Sequence, residues 1–209
     1  MRFERRSHVP ASLLLLAPIW AVLAALVPAG ILILLAGANP LDAYWQIVVS
    51  AVGSRLSITE TLARATPLIL TGLAAAVAFR VRLWNIGGEG QFYLGALAAA
   101  ALGHAALSGL PGWAGIPVLL ASGAVIGGLF LLGPLLLRLR FGVDEVVTTL
   151  LLNFIAILFV SMMIEGPLKD PLAFGWPQSV PVSPDMVLPK LIPRTRLHIG
   201  LLIAIAAAV

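Results

Sequence analysis

Arg80-Val81-Arg82-Leu83-Trp84-Asn85-Ile86-Gly87-Gly88-Glu89-Gly90-Gln91 sets polar and helix-breaking residues between two long apolar runs. Residues 71–79 precede it and residues 92–102 follow it, both almost wholly apolar. A carboxylate, two carboxamides and three glycines enclosed in this way are costly in a bilayer unless they meet partners or water. The stretch reads as the functional insert of a membrane protein, with the rest of the chain as its frame.

Composition agrees. The chain is 60% hydrophobic and 11% charged, with a mean hydropathy of +1.05, where a soluble domain is about half apolar and about a quarter charged. Several apolar runs reach the length of a membrane-spanning helix, and strong strand-like alternation is missing, which argues against a transmembrane barrel. The expected fold class is all-α: a polytopic transmembrane bundle of five full spans plus the start of a sixth. The absence of cysteine removes disulfides, thiolate metal sites and a cysteine nucleophile. The formal charge of +4 comes from basic residues at segment ends, which act as topology signals and form no nucleic-acid surface.

The first span is expected over residues 12–35. Its rival, a cleavable signal peptide ending near Ala36-Gly37-Ala38, normally has an apolar core of only about 7–15 residues. Asn39-Pro40-Leu41-Asp42 ends that helix, and residues 43–57 are mixed enough to lie along the interface. The second span covers residues 58–79, with Glu60 and Arg64 paired four apart near its start and Pro67 bending it. The third, residues 91–107, is dense in glycine and alanine, which allows close backbone approach and places it centrally in the bundle. His104 at its end reads as a structural histidine. The fourth span, residues 113–137, carries Gly123-x-x-x-Gly127, a packing pattern that is common by chance. The fifth, residues 146–164, follows Asp144 and Glu145, which complement its dipole, and carries a polar stripe of Thr148, Thr149 and Asn153.

Residues 165–197 form a loop whose seven prolines make it extended and semi-rigid, with Phe174 and Trp176 suited to an interface. The apolar run that resumes near residue 197 and stops at Val209 covers about 16 Å of a core of about 30 Å, so a truncated single transmembrane domain over 1–209 is expected. Arg2, Arg5 and Arg6, then Arg80 and Arg82, then Arg138 and Arg140 alternate with loops poor in basic residues. This places the N-terminus in the cytoplasm and the proline-rich loop outside.

No enzyme signature holds. The chain lacks His-Glu-x-x-His, Gly-x-Ser-x-Gly and a phosphate loop, and Gly87-Gly88-Glu89-Gly90 has no dinucleotide spacing. For Asn85, Glu89 and Gln91 two readings fit. In one, Glu89 caps the next helix at the cytoplasmic surface. In the other, glycines at 87, 88 and 90 break the backbone at depth, and amide and carboxylate groups serve a polar solute.

Residues 85–91 followed by Leu94-Gly95-Ala96 resemble the motif of permease subunits in bacterial ABC importers of the branched-chain amino acid and simple-sugar class, most closely the nucleoside/simple-sugar permeases. Residues 66–73, 141–153 and 166–171 resemble three further blocks of that family in order and spacing, although Asp144 stands where related chains often carry asparagine. The resemblance implies a multi-pass subunit of the bacterial cytoplasmic (inner) membrane that imports a small polar solute. Its partners would be a second permease subunit, two ATP-binding subunits and an extracytoplasmic solute-binding protein. It implies no cofactor in this chain, ATP acting through the partner ATPase; the family's ATPase-coupling loop, which lies in its later half, is absent from this sequence. Asn85, Glu89, Gln91 and Asn153 are the candidate pathway residues, with Gly87, Gly88, Gly90 and Pro67 as structural positions. The alternative is a secondary transporter or channel that uses Glu89 as its coupling carboxylate.

Overall fold

The computed structural model describes residues 11–209 except Ser108; the N-terminal arginines of the topology argument lie outside the described residues. The chain divides into two compact units, Met1–Thr61 and Leu62–Val209.

In the first unit, α1 (Ala11–Leu35) is apolar on every side, as a helix surrounded by lipid is. The chain turns at Gly37, whose φ of +81° needs no Cβ. Asn39 then caps α2 (Pro40–Val52), its Oδ1 accepting from the Leu41 N–H at 3.0 Å, with Pro40 at the first helical position. The Tyr44 hydroxyl donates to the Leu26 carbonyl and so fastens α2 to α1. Helix α3 (Arg55–Arg80) starts in this unit, where Thr61 Oγ1 donates to the Ala51 carbonyl, and runs on into the second.

The second unit contains α4 (Gly88–Ala101), which continues as one π turn (Leu102–Ala106), then α5 (Gly112–Phe141), α6 (Glu145–Glu165) and α7 (Gly200–Ala208). Asp144 caps α6 through the Val146 N–H at 2.8 Å, a position that asparagine fills equally well. Gly142, with φ of +65°, closes α5 in the left-handed conformation. Residues 166–199 are irregular apart from a 3₁₀ turn (Pro184–Met186) and single antiparallel bridges, Lys169 with Ser179 and Lys190 with His198.

Four of the described helical segments are long and apolar enough to cross a membrane: Leu16–Leu35, Arg55–Arg80, Gly112–Phe141 and Glu145–Glu165. They match the first, second, fourth and fifth expected spans to within a few residues. The third differs. Helix α4 has 14 α-helical residues before its π turn and falls short of that length.

Helix α4 is nonetheless the centre of its unit, as its small residues predict. A Cβ at Gly95 would stand 3.1 Å from the Gly123 carbonyl oxygen, so the α4 and α5 backbones touch there. Gly127 faces the Gln91 backbone one turn away, so both glycines of the Gly-x-x-x-Gly pattern seat α4. On another side Gly90 meets Asn153 and Ala156 of α6. At the far end of α4, Gly103 packs on Val182 and its carbonyl accepts from Ser183 N–H, while His104 Nδ1 lies 3.3 Å from the Pro181 carbonyl. The histidine is a structural contact. At the near end, Arg138 donates to the Arg82 carbonyl at 3.0 Å, which brings the two arginine-bearing loops to the same end of the unit.

Candidate functional site

A polar segment without regular structure must place every backbone donor that is shielded from water. Residues 81–83 donate back to α3 carbonyls and Asn85 and Gly87 bond within the segment, while three donors between residues 84 and 90 reach α6. Trp84 N–H reaches Glu145 Oε1 at 3.5 Å, Ile86 N–H reaches Thr149 Oγ1 at 3.1 Å, and Gly90 N–H reaches Asn153 Oδ1 at 2.5 Å. Glu145, Thr149 and Asn153 are spaced by four and lie on one helical stripe, so each step climbs about 6 Å along α6. The motif matches that rise twice. One non-helical residue, Asn85, separates Trp84 from Ile86, and these two steps of chain span about 6–7 Å when extended. Three residues separate Ile86 from Gly90, the last two of them, Gly88 and Glu89, already in the first turn of α4. The two strands of chain are therefore in register, rung for rung.

The register determines where α4 begins. Gly90 stands level with Asn153, eight residues or about 12 Å along α6 from Glu145. Helix α4 thus starts well inside the length of its neighbour, which is why it is short, and the chain between Arg80 and Gly88 turns back into the bundle. The N-terminal N–H groups of a helix have no partner within it, and Gly87 offers no side chain to cap them. Asn153, only 6% exposed, supplies that acceptor from across the interface. Glycine is required at 87 and 90 because a Cβ at 87 would come within 2.8 Å of the Thr149 carbonyl oxygen, and one at 90 within 2.9 Å of both Asn153 Oδ1 and Ala156 Cβ. Gly88 differs: nothing lies within 4 Å of its would-be Cβ.

Arg138 closes the ladder at its outer end. Its guanidinium pairs with Glu145 Oε1 at 2.5 Å while also holding the Arg82 carbonyl. Arg82 itself has φ of +58°, a strained conformation for a residue with a Cβ that these contacts hold in place.

The remaining motif side chains hold one another. Asn85 Nδ2 donates to Gln91 Oε1 at 3.2 Å, and Asn85 Oδ1 accepts from Gly87 N–H at 3.0 Å. This leaves the Gln91 amide donors for the space beside it. Two cavities adjoin there. One of about 510 Å³ is lined by Pro67, Thr71, Asn85, Glu89, Gln91 and Phe92, among others. The second, of about 610 Å³, lies between α3, α5 and α7 and shares Pro67, Thr71, Gly88, Gln91 and Phe92. Glu89 is exposed in the first turn of α4 and lines the smaller of these cavities.

Of the four pathway candidates, Asn85, Glu89 and Gln91 come together at cavity walls. Asn153 does not join them there: it is buried and engaged with the Gly90 amide, in a positioning place. Pro67 lines both cavities from α3. Thr148 turns back to the carbonyls of Asp144 and Glu145 in its own helix, so the working stripe of α6 is Glu145–Thr149–Asn153. Glu145 and Arg138 are the residues missed as partners of the motif; the four-residue spacing of Glu145, Thr149 and Asn153 was the signal that could have found the first. Among the described residues no cluster of His, Asp or Glu could hold a metal ion.

A bundle of apolar helices, with a glycine-rich polar segment pinned beside cavities, defines a multi-pass membrane protein. The chain belongs to the branched-chain amino acid transport system / permease component family, whose model matches residues 57–209. It is 36% identical over 219 residues to the glucose ABC transporter permease protein TsgB13 of Haloferax volcanii, covering 100% of this chain and 57% of that protein. It is 34% identical over 207 residues to the guanosine ABC transporter permease protein NupP of Bacillus subtilis, covering 99% and 57%. The nucleoside ABC transporter permease protein NupB of Lactococcus lactis is 34% identical over 203 residues, covering 93% and 55%. The chain spans little more than half the length of these relatives. No solved structure matches it.

Proposed function

We propose that this chain forms part of the transmembrane subunit of an ATP-driven importer that carries a small polar solute, a nucleoside or simple sugar, across the cytoplasmic membrane. The observation that carries the reading is the inward pinning of residues 84–90 on α6. It sets Asn85, Glu89 and Gln91 beside cavities, and polar groups among apolar membrane helices persist only around water or protein. The names of the relatives support the solute class. The chain works with a second permease subunit, ATP-binding subunits and an external solute-binding protein. Hydrolysis belongs to the ATPase, and this chain has no catalytic role.

In this reading the membrane is crossed five times by residues 12–164, α4 being the short crossing because it starts from inside, and α7 begins a sixth. The arginine-bearing loops that meet through Arg138 and Arg82 face the cytoplasm with the N-terminus. Residues 165–197 then lie on the outer side, where their packing on Gly103 and Gly115 holds them against the ends of α4 and α5.

Uptake of labelled nucleoside and of labelled hexose by vesicles holding the full complex tests the proposal. ATP-dependent uptake that falls at least about tenfold in Glu89→Gln or Asn85→Ala is expected. Wild-type kinetics in both variants would remove these residues from the pathway. Uptake driven by a proton gradient without ATP would overturn the importer reading.

A further inference from the structure

Helix α4 has three differently occupied sides. Gly90 faces α6, and Gln91 and Gly95 face α5. Successive residues turn by about 100°, so Glu89 and Tyr93 fall on the flank of α4 turned away from α5. That flank is bare: Glu89, Phe92, Tyr93 and Ala96 are all exposed. Where it meets α6, a slot of about 260 Å³ runs between the helices, lined by Glu89, Tyr93, Ile157, Val160, Ser161 and Glu165 among others. The slot has a carboxylate at each end. Glu89 stands about 10 Å inside α6's first turn, one residue before Gly90, and Glu165 is α6's last residue.

A surface with this composition cannot face hydrocarbon, because a carboxylate at that depth needs water or a polar partner. The neighbouring stripe of α6 can. Leu151, Ile155, Leu158 and Met162 recur at spacings of four, three and four, and each is more than half exposed. The centres of the two stripes lie about a third of a turn apart on one helix. The boundary between lipid and water therefore runs down α6 between Ser161 and Leu158.

From this juxtaposition we infer that the α4–α6 slot is a wall of the aqueous translocation path, with Tyr93 and Ser161 as solute-facing positions between Glu89 and Glu165. The inference rests on the importer reading above and extends it to a face and to residues outside the glycine-rich motif. A tyrosine ring and hydroxyl, a serine hydroxyl and flanking carboxylates suit a solute that offers several hydroxyl donors.

The lack of cysteine in the sequence allows a direct test in the segment described. Single cysteines replace Tyr93, Ser161, Leu151 or Leu158 in a full-length permease whose remaining cysteines, if any, are removed. Each variant is assembled with its ATPase in lipid vesicles and exposed from both sides to a charged methanethiosulfonate. Only the thiolate reacts, and it forms in water, so modification of Tyr93→Cys and Ser161→Cys is expected to be at least about tenfold faster than at the two leucine positions. Equal, slow rates at all four positions would overturn the inference, as would equally fast rates at the leucines. Ser161→Cys changes one atom, so the test stands even if Tyr93→Cys fails to assemble. Uptake that ignores ATP would sink the importer reading while leaving the labelling pattern as evidence of a wet face.

Discussion

Removing one carboxamide tests the register of the motif. In Asn153→Ala the Gly90 N–H keeps its place at the start of α4 but loses its acceptor, and no other described side chain takes over. A buried backbone donor left unpaired costs about 1–3 kcal/mol, and deleting a helix N-cap costs about 0.5–2 kcal/mol. Asn153 serves as both, so the local opening of residues 84–92 should become easier by about 1–3 kcal/mol. At about 1.4 kcal/mol per tenfold, that is roughly a 5- to 150-fold rise in the open population. Hydrogen exchange of the peptide covering residues 84–92, in the purified full-length permease, reads this population. The α5 peptide around Leu129–Leu136 serves as an internal control that should not change. Unaltered exchange at 84–92 combined with weakened solute uptake would refute the positioning role and return Asn153 to the pathway itself.

Other substitutions probe other rungs and contacts. Thr149→Val removes the acceptor for Ile86 N–H, whereas Thr149→Ser keeps it, so protease cutting within residues 81–87 should rise only in the valine variant. Arg138→Ala strips the partner from a Glu145 side chain that is 12% exposed; it should loosen the same segment more than Glu145→Gln does, by the same protease assay, because a shielded charge left unpaired is worse than a neutral amide. The two glycines flanking Glu89 should behave oppositely in thermal denaturation. Gly88→Ala meets open space and should change stability by no more than about 0.5 kcal/mol, while Gly90→Ala presses on Asn153 and Ala156 and should cost about 1–3 kcal/mol. Gly95→Leu, aimed at the Gly123 backbone, should lower the melting temperature of the permease by forcing α4 and α5 apart.

The long helices were legible because apolar length is a property of composition, and α1, α3, α5 and α6 begin and end within a few residues of the hydropathy boundaries. The start of α4 was not. Gly-Gly-Glu-Gly reads locally as a break, and what makes it a helix start is an acceptor 63 residues away on α6. Nor does composition distinguish a polar stripe that lines a cavity from one that satisfies a neighbour's backbone. Thr148, Thr149 and Asn153 stand out in the sequence as a polar stripe, and in the structure Thr149 and Asn153 meet the motif's own amides. The central place of α4 was readable from Gly95, Ala96 and Ala98 to Ala101, since only small residues permit such closeness. The contribution of Gly123 and Gly127 became clear only once Gly95 and Gln91 were seen opposite them.

The paired ladders also constrain how this chain can vary. Between the rungs Gly88, with open space beside it, is free to change, yet the spacings are not. Adding or removing one residue between Ile86 and Gly90 would swing Glu89 about 100° around α4 and strand the acceptor on either Thr149 or Asn153. A shift of one residue in α6 would do the same from the other side. Length in these two segments is therefore a coupled quantity: an insertion in one would need a matched change in the other, whereas the irregular segment 166–199 carries no such tally.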